Sequence, residues 1–237
     1  MLKILTIIPA RGGSKGIPGK NTKVIGGKSL VRWAIDCAKG IRENQNIVVD
    51  TDDLIIANIA TEAGVEIHFR EPSLGSDEAS IIPVMNNVLL HMEHTHQTTY
   101  DLIVLLQPTS PFRTTVDYKN IISMFTSNPD IQNVVSVIPL DEIHPAKMYY
   151  LKGTELIAIN PETEQSRRQD LETAYLRNGC FYAIRRNLFV ETQSVMTKHK
   201  TPYIMQEYWW ANINTPRDLQ WADFLFAQWK EAHPNDI

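Results

Sequence analysis

The sequence has little of what would mark a secreted, membrane-bound or nucleic-acid-binding protein. Its 237 residues include two cysteines, Cys37 and Cys180. They lie far apart in apolar segments and show no zinc-site spacing, which leaves two buried thiols in a reducing compartment as the reading. No apolar run approaches the ~20 residues a helix needs to cross a bilayer. The chain opens directly on a strand-like run, residues 2–8, too short for the apolar region of a signal peptide with its cleavage site. A cytoplasmic protein with no membrane partner is therefore expected. A basic surplus is missing too: the net charge is −4 and the isoelectric point about 6.0, so no nucleic-acid partner is expected. Low-complexity tracts, repeats and polar linkers are absent, and one domain spanning residues 1–237 is the expectation.

What is there is an alternation. Short apolar runs rich in β-branched residues occur at 4–8, 46–49, 102–106 and 134–138, as expected of strands buried on both faces of a parallel sheet. Helical patterns at 30–39, 54–63, 81–94 and 118–125 separate them. The predicted fold class is α/β: three layers around a Rossmann-like, mostly parallel sheet. Thr114-Thr115-Val116-Asp117 reads as a capping box, and Thr215-Pro216-Arg217-Asp218 opens a last helix over 216–230 with proline at its first position. That helix carries Leu219, Ala222, Phe226 and Trp229 at helical spacing.

Other features take plain readings. Trp209, Trp210 and Trp221 are expected to pack around the last strand and helix. His91, His94 and His96 are expected at a solvated helix end, where imidazole suits the dipole, and not around a metal. The alternation falters over 141–175, where short strands at 148–151 and 156–159 precede a polar, arginine-containing segment. The pattern fits a hairpin carrying an oligomer contact or an ordinary surface insertion.

The most informative stretch follows the first strand: Pro9-Ala10-Arg11-Gly12-Gly13-Ser14-Lys15-Gly16-Ile17-Pro18-Gly19-Lys20-Asn21. Its glycines let the backbone bend so that several N–H groups face one way and form an anion cradle. Arg11, Lys15 and Lys20 add cations, Arg as a bidentate fork and Lys as a point charge. A loop after a buried parallel strand lies at the carboxyl edge of the sheet, where α/β folds bind ligands. It is neither a Walker loop nor a dinucleotide fingerprint.

This loop resembles the signature loop of the CMP-sialic acid synthetases, the acylneuraminate cytidylyltransferases, whose relatives activate legionaminic and pseudaminic acids. The resemblance implies a homodimeric nucleotidyltransferase that converts CTP and an acidic nine-carbon sugar to a CMP-sugar and pyrophosphate. Mg²⁺, or Mn²⁺ in its place, is the implied cofactor. Arg11, Lys15 and Lys20 are the implied catalytic cations; Ala10, Arg11, Gly12, Gly13, Ser14 and Asn21 are the implied nucleotide contacts. Phe69-Arg70-Glu71-Pro72 and Asp77-Glu78-Ala79-Ser80 resemble the family's base-binding segment, implying Arg70 and Ser80 near cytosine. The run 105–113, Leu-Leu-Gln-Pro-Thr-Ser-Pro-Phe-Arg, resembles the strand end beside the sugar and implies Gln107 as a sugar contact. His144-Pro145-Ala146-Lys147, Arg168-Gln169-Asp170-Leu171, Tyr175 and Asn178-Gly179 resemble a swapped dimer arm and its re-entry into the sheet. On that resemblance 141–175 becomes a dimerisation arm, and Lys147, Arg168 and Tyr182 join the sugar contacts. A cation there makes chemical sense, because a nonulosonic acid carries a carboxylate beside its reacting anomeric hydroxyl.

One departure matters. Where the family places two aspartates around an isoleucine, expected to hold the metal and help deprotonate the sugar hydroxyl, this chain reads Asn212-Ile213-Asn214. In extended structure the pair still points to one face. Amide oxygens are neutral, weaker ligands for Mg²⁺, and neither asparagine can serve as a general base, a role worth about 10²–10⁴-fold in rate. Three readings stay open: another carboxylate such as Asp52 substitutes, the metal site is organised differently, or the chain binds nucleotide without full activity. A nucleotidyltransferase for another sugar or base is the remaining alternative.

Overall fold

A computed structural model describes residues 2–41, 45–71, 73, 80–140 and 143–234. Its centre is a seven-stranded sheet in the order β11-β7-β10-β6-β1-β4-β5. The strands are β1 (Ile4–Pro9), β4 (Gln45–Thr51), β5 (Glu66–Phe69), β6 (Leu102–Leu105), β7 (Asn133–Leu140), β10 (Ala174–Arg185) and β11 (Thr201–Ile204), while β2 (Val24–Ile25) and β3 (Lys28–Ser29) form a separate antiparallel pair. All strands of the central sheet run parallel except β10, which lies antiparallel between β6 and β7. The expected α/β class and mostly parallel sheet are both observed.

The helices α1 (Leu30–Lys39), α2 (Leu54–Glu62), α3 (Ile81–Thr95), α4 (Thr115–Ser127) and α6 (Pro216–Ala232) agree with the sequence pattern. Thr114 and Thr215 each close a capping box, with Asp117 and Asp218 respectively. β5, β10, β11 and the short helix α5 (Arg186–Thr192) were not expected as elements. β10 contains Asn178-Gly179, expected only as a re-entry into the sheet, and its register with β7 shifts there, between Arg177 and Tyr182. β11 contains Pro202 and is the last strand of the sheet, a position where a missing N–H is tolerated.

Apolar side chains fill three places. One face of the sheet packs Ile8, Val49 and Phe181 with Ala34, Ile35, Tyr118 and Phe125 of α1 and α4. The other packs Leu5, Ile7 and Ile103 with Met85 and Leu89 of α3 and Phe189 of α5. The third cluster lies under α6, where Trp33, Phe112, Phe226 and Trp229 enclose Ile17 and Ile213. Phe226 occupies the space that a Cβ on Gly26 would fill, and Gly26 has φ +57°, so this turn accepts only glycine. The last helix is thus fixed over the loop that follows β1.

The tryptophan expectation needs correcting. Trp209 packs partly against the third cluster, but Trp221 is 50 % exposed and stacks on Phe224 with ring centroids 5.5 Å apart. Trp33 and Trp229 fill the core in its place, because Trp221 lies on the solvent side of α6. Of the histidines, His94 is exposed, His96 caps α3 and pairs with Glu66 at 2.8 Å, and His91 meets His68 edge-on. No cluster of three metal-ligating side chains exists among the described residues, and both cysteines are free and buried.

Residues 143–173 leave the sheet. Within them β8 (Tyr149–Lys152) and β9 (Glu155–Ala158) pair as an antiparallel hairpin with a sheet of its own. Asp141 and Glu142, where the arm was expected to begin, lie outside the described residues.

Candidate functional site

The carboxyl ends of β1, β4 and β6 meet at one edge of the sheet. After Pro9, the Ala10 N–H donates to the Asp50 carbonyl at 2.8 Å, carrying the β1–β4 ladder one residue beyond the strand. The loop then turns outward and is tied back in three places. The Asn21 side-chain amide donates to the Arg11 carbonyl at 2.8 Å, the Gly12 N–H donates to the Asp52 carboxylate at 2.7 Å, and Ile17 is buried under α6. Gly19, at φ +62°, reverses the chain into the single 3-10 turn Lys20–Thr22. Ser14 and Arg11 are half-buried, Lys15 and Gly13 exposed.

Across this loop lies the Asn212-Ile213-Asn214 segment. Ile213 is buried and both asparagines are exposed, the alternation expected of extended chain. Lys20 Nζ donates to Asn214 Oδ1 at 3.2 Å, and a Cβ on Gly16 would strike the Asn214 carbonyl. The Ile213 N–H donates to the Thr109 carbonyl at 2.8 Å. The phosphate-type loop, the asparagine pair and the Gln107 loop are therefore bonded together.

The Gln107 loop is held from below by the last residue of the 105–113 run, for which the resemblance implies no role. Arg113, 3 % exposed, donates through Nη1 to the Cys180 carbonyl at 2.6 Å and through Nη2 to the Gln107 carbonyl at 2.5 Å. Burial lowers the pKa of its guanidinium, while the nearby thiols act the other way. Burial pushes both thiols up to about 12, against the pull of Arg113, so they are poor nucleophiles. Ser110 donates to the Asn178 carbonyl at 2.9 Å, and Asn178 Oδ1 accepts from Ser136 at 2.6 Å. A Cβ on Gly179, φ +80°, would lie 3.0 Å from Gln107 Oε1. The irregular stretch of β10 is thus what permits the close approach of Gln107. Tyr182 follows on β10, packed toward α3, and burial raises its hydroxyl pKa.

At the far side of β1, Arg70 is 9 % exposed and its fork meets the fully buried Asp50. Ser80 caps α3, its hydroxyl accepting from the Ile82 N–H at 3.3 Å. Pro72 and Asp77-Glu78-Ala79 of the expected base-binding segment lie outside the described residues. Lys147 and Arg168 are exposed on separate 3-10 turns of the arm, Pro145–Lys147 and Arg168–Asp170. His144 links this region, accepting from the Ala146 N–H and reaching the Glu172 carbonyl at 3.0 Å.

Asn212 and Asn214 do not by themselves fit the metal that the resemblance implies. Their oxygens are neutral, and that of Asn214 already accepts from an ammonium group. Mg²⁺ is ordinarily held through carboxylates together with substrate phosphates.

The chain matches a family model described as cytidylyltransferase over residues 5–220. It is 29 % identical over 237 residues to the post-translational flagellin modification protein B of Campylobacter coli, covering 96 % of this chain and 97 % of that one. It is 30 % identical to the CMP-N,N'-diacetyllegionaminic acid synthase of Legionella pneumophila, covering 98 % and 99 %. The N-acylneuraminate cytidylyltransferase of Streptococcus agalactiae is also 30 % identical, and the chain spans 52 % of that protein's length. Among solved structures, a CMP:2-keto-3-deoxy-manno-octonic acid synthetase complexed with CTP superposes with a TM-score of 0.70 at 17 % identity, covering 95 % and 99 %. The fold, the basic glycine loop at the carboxyl edge and these matches agree: the chain belongs to the cytidylyltransferase family, and is a nucleotidyltransferase.

Proposed function

We propose that the protein transfers a cytidylyl group from CTP to a nonulosonic acid of the sialic, legionaminic or pseudaminic type, releasing pyrophosphate. The observation that carries this reading is the closure of the basic loop onto the 212–214 segment, which is in turn bonded to the Gln107 loop. That continuity puts a triphosphate cradle beside a polar, half-buried side chain suited to a sugar. In the reaction the anomeric oxygen forms a bond to the α-phosphorus, the bond to the bridging oxygen breaks, and pyrophosphate leaves. Arg11, Lys15, Lys20 and the loop N–H groups offset charge on the phosphates, where most catalysis of such transfers resides. Ala10, Gly12, Gly13, Ser14 and Asn21 shape the cradle, and Arg70 and Ser80 receive the base. Gln107 and Tyr182 face the sugar. A divalent ion brought in with the triphosphate would add charge stabilisation.

The protein works as a homodimer in this proposal. Tyr150, Leu151 and Leu156 on the hairpin are 61 %, 71 % and 65 % exposed, and an isolated two-stranded hairpin is marginal without packing. A second copy would cover it and bring Lys147 and Arg168 toward a sugar carboxylate. Use of CTP and two free buried thiols suit a cytoplasmic setting.

The test is pyrophosphate release with CTP and Mg²⁺ against N-acetylneuraminic, legionaminic, pseudaminic and 3-deoxy-octulosonic acids, with other nucleoside triphosphates as controls. CTP-dependent release with a nine-carbon acid is expected. Release only with the eight-carbon acid, or with another nucleotide, would overturn the assignment.

A further inference from the structure

Asp50 is an uneconomical residue to find where it is. It sits at the carboxyl end of β4, 0 % exposed, beside strands of aliphatic side chains. A buried carboxylate costs several kcal/mol in desolvation unless its oxygens are paired, and here they are divided between two partners. Oδ1 faces His68 Nδ1 at 2.8 Å, and Oδ2 takes Arg70 Nε at 2.6 Å and Nη2 at 2.5 Å. His68 is the register partner of Asp50 across β4 and β5, so the sheet itself sets that contact. His68 is further held by the ring of His91 from α3, with centroids 5.0 Å apart. With Oδ1 occupied by His68, Arg70 has one oxygen to grip. Its Nε edge is committed there, and the Nη1 end of the fork is left for other partners. The main chain of Asp50 meanwhile accepts from Ala10, the first residue of the phosphate-type loop.

We infer that Asp50, seconded by His68, is a positioning residue that holds Arg70 as a rigid, donor-only edge and so sets the choice of base. This rests on the proposed function, in which Arg70 meets the base. Guanidinium hydrogens can only donate. Cytosine offers adjacent acceptors at O2 and N3, which such an edge satisfies. Uracil carries a hydrogen on N3, so one donor would face another donor. A fork free to rotate would lose this discrimination, and a fork pinned through Nε and Nη2 keeps it. The same residue links base recognition to the start of the phosphate cradle through its carbonyl.

The experiment is equilibrium binding of CTP, UTP and pyrophosphate by calorimetry, without sugar, to the intact protein and to Asp50→Asn. The intact protein should prefer CTP. Asp50→Asn should reduce the CTP:UTP affinity ratio by roughly tenfold or more, the scale of one two-donor base contact, with pyrophosphate affinity within twofold. A ratio within threefold of the intact protein's would overturn the inference, as would parallel losses for all three ligands, which a purely structural role predicts. If Asp50→Asn does not fold, Arg70→Lys decides: it keeps a cation opposite Asp50 but loses the fork, and the ratio should fall equally. Absence of CTP preference in the intact protein would instead overturn the cytidylyl reading itself.

Discussion

Replacing Gly12 by alanine tests how tightly the phosphate-type loop is seated. A Cβ there would lie 2.5 Å from Asp53 Oδ2 and 2.7 Å from Asp53 Cβ. The oxygen is the end of a side chain, but the carbon is fixed to the first turn of α2, where Asp53 caps the Ile55 and Ile56 N–H groups. Ordinary contact begins near 3.4 Å, so loop and helix must part by about 0.7 Å (3.4 − 2.7). If the loop yields, its cations shift against the triphosphate, and misplacement of about 1 Å can cost ~10²-fold in rate. If the helix yields, the cap is lost at about 1 kcal/mol, a fall of roughly 2–4 °C in Tm for a chain of this size. Pyrophosphate release and a thermal melt on the same preparation separate the two. We expect the rate to fall about 100-fold with a small change in Tm, because the loop edge is exposed and the α2 cap is bonded twice. A variant with kcat/KM within threefold of the parent and an unchanged Tm would refute the packing argument.

Two further outcomes are expected. Burial opposes ionisation of Asp218, but hydrogen bonds from the Asn214 and Thr215 N–H groups and the Thr215 hydroxyl hold its pKa below the usual 3.8. A lowered folded pKa means stability present above the unfolded value and lost as pH falls through the folded one. Asp218→Ala should therefore cost about 1 kcal/mol at neutral pH, a gap that narrows as the pH falls from about 4 through the folded pKa; urea unfolding at pH 7 and at a series of lower pH values checks it, and a gap that does not narrow on acidification would contradict it. Asn212→Asp combined with Asn214→Asp should create a Mn²⁺ site in the nucleotide-free protein, read by electron paramagnetic resonance, where the parent shows none; equal signals would mean that the amides already suffice.

How much of this was legible depended on how local the chemistry is. The loop from Ala10 to Asn21 could be read because its glycines and cations are contiguous and follow an unambiguous strand. The capping boxes of α4 and α6 are likewise four-residue signals. The twelve-residue length of β10 was not legible, because Asn178-Gly179 indicate only a re-entry into the sheet, whereas the strand runs through them as an irregularity against Ser110 and Gln107. The bond between Asp50 and His68 depends on strand register across eighteen positions, which no local pattern encodes. Trp221 was placed inward since aromatic residues usually are; its side of α6 is settled only by where Phe226 and Trp229 point.

The irregularity in β10 also governs what changes the chain can tolerate. Residues 174–177 pair with 137–140, and residues 182–184 pair with 133–135, on either side of the shift. Five steps along β10, from Arg177 to Tyr182, oppose two along β7, from Val137 to Val135, so three residues of β10 stand outside the ladder and a regular strand would have to lose all three. A deletion that made the sheet more regular would thus remove the stretch against which Ser110 and Gln107 are set, so the strand keeps a flaw that its neighbouring loop requires.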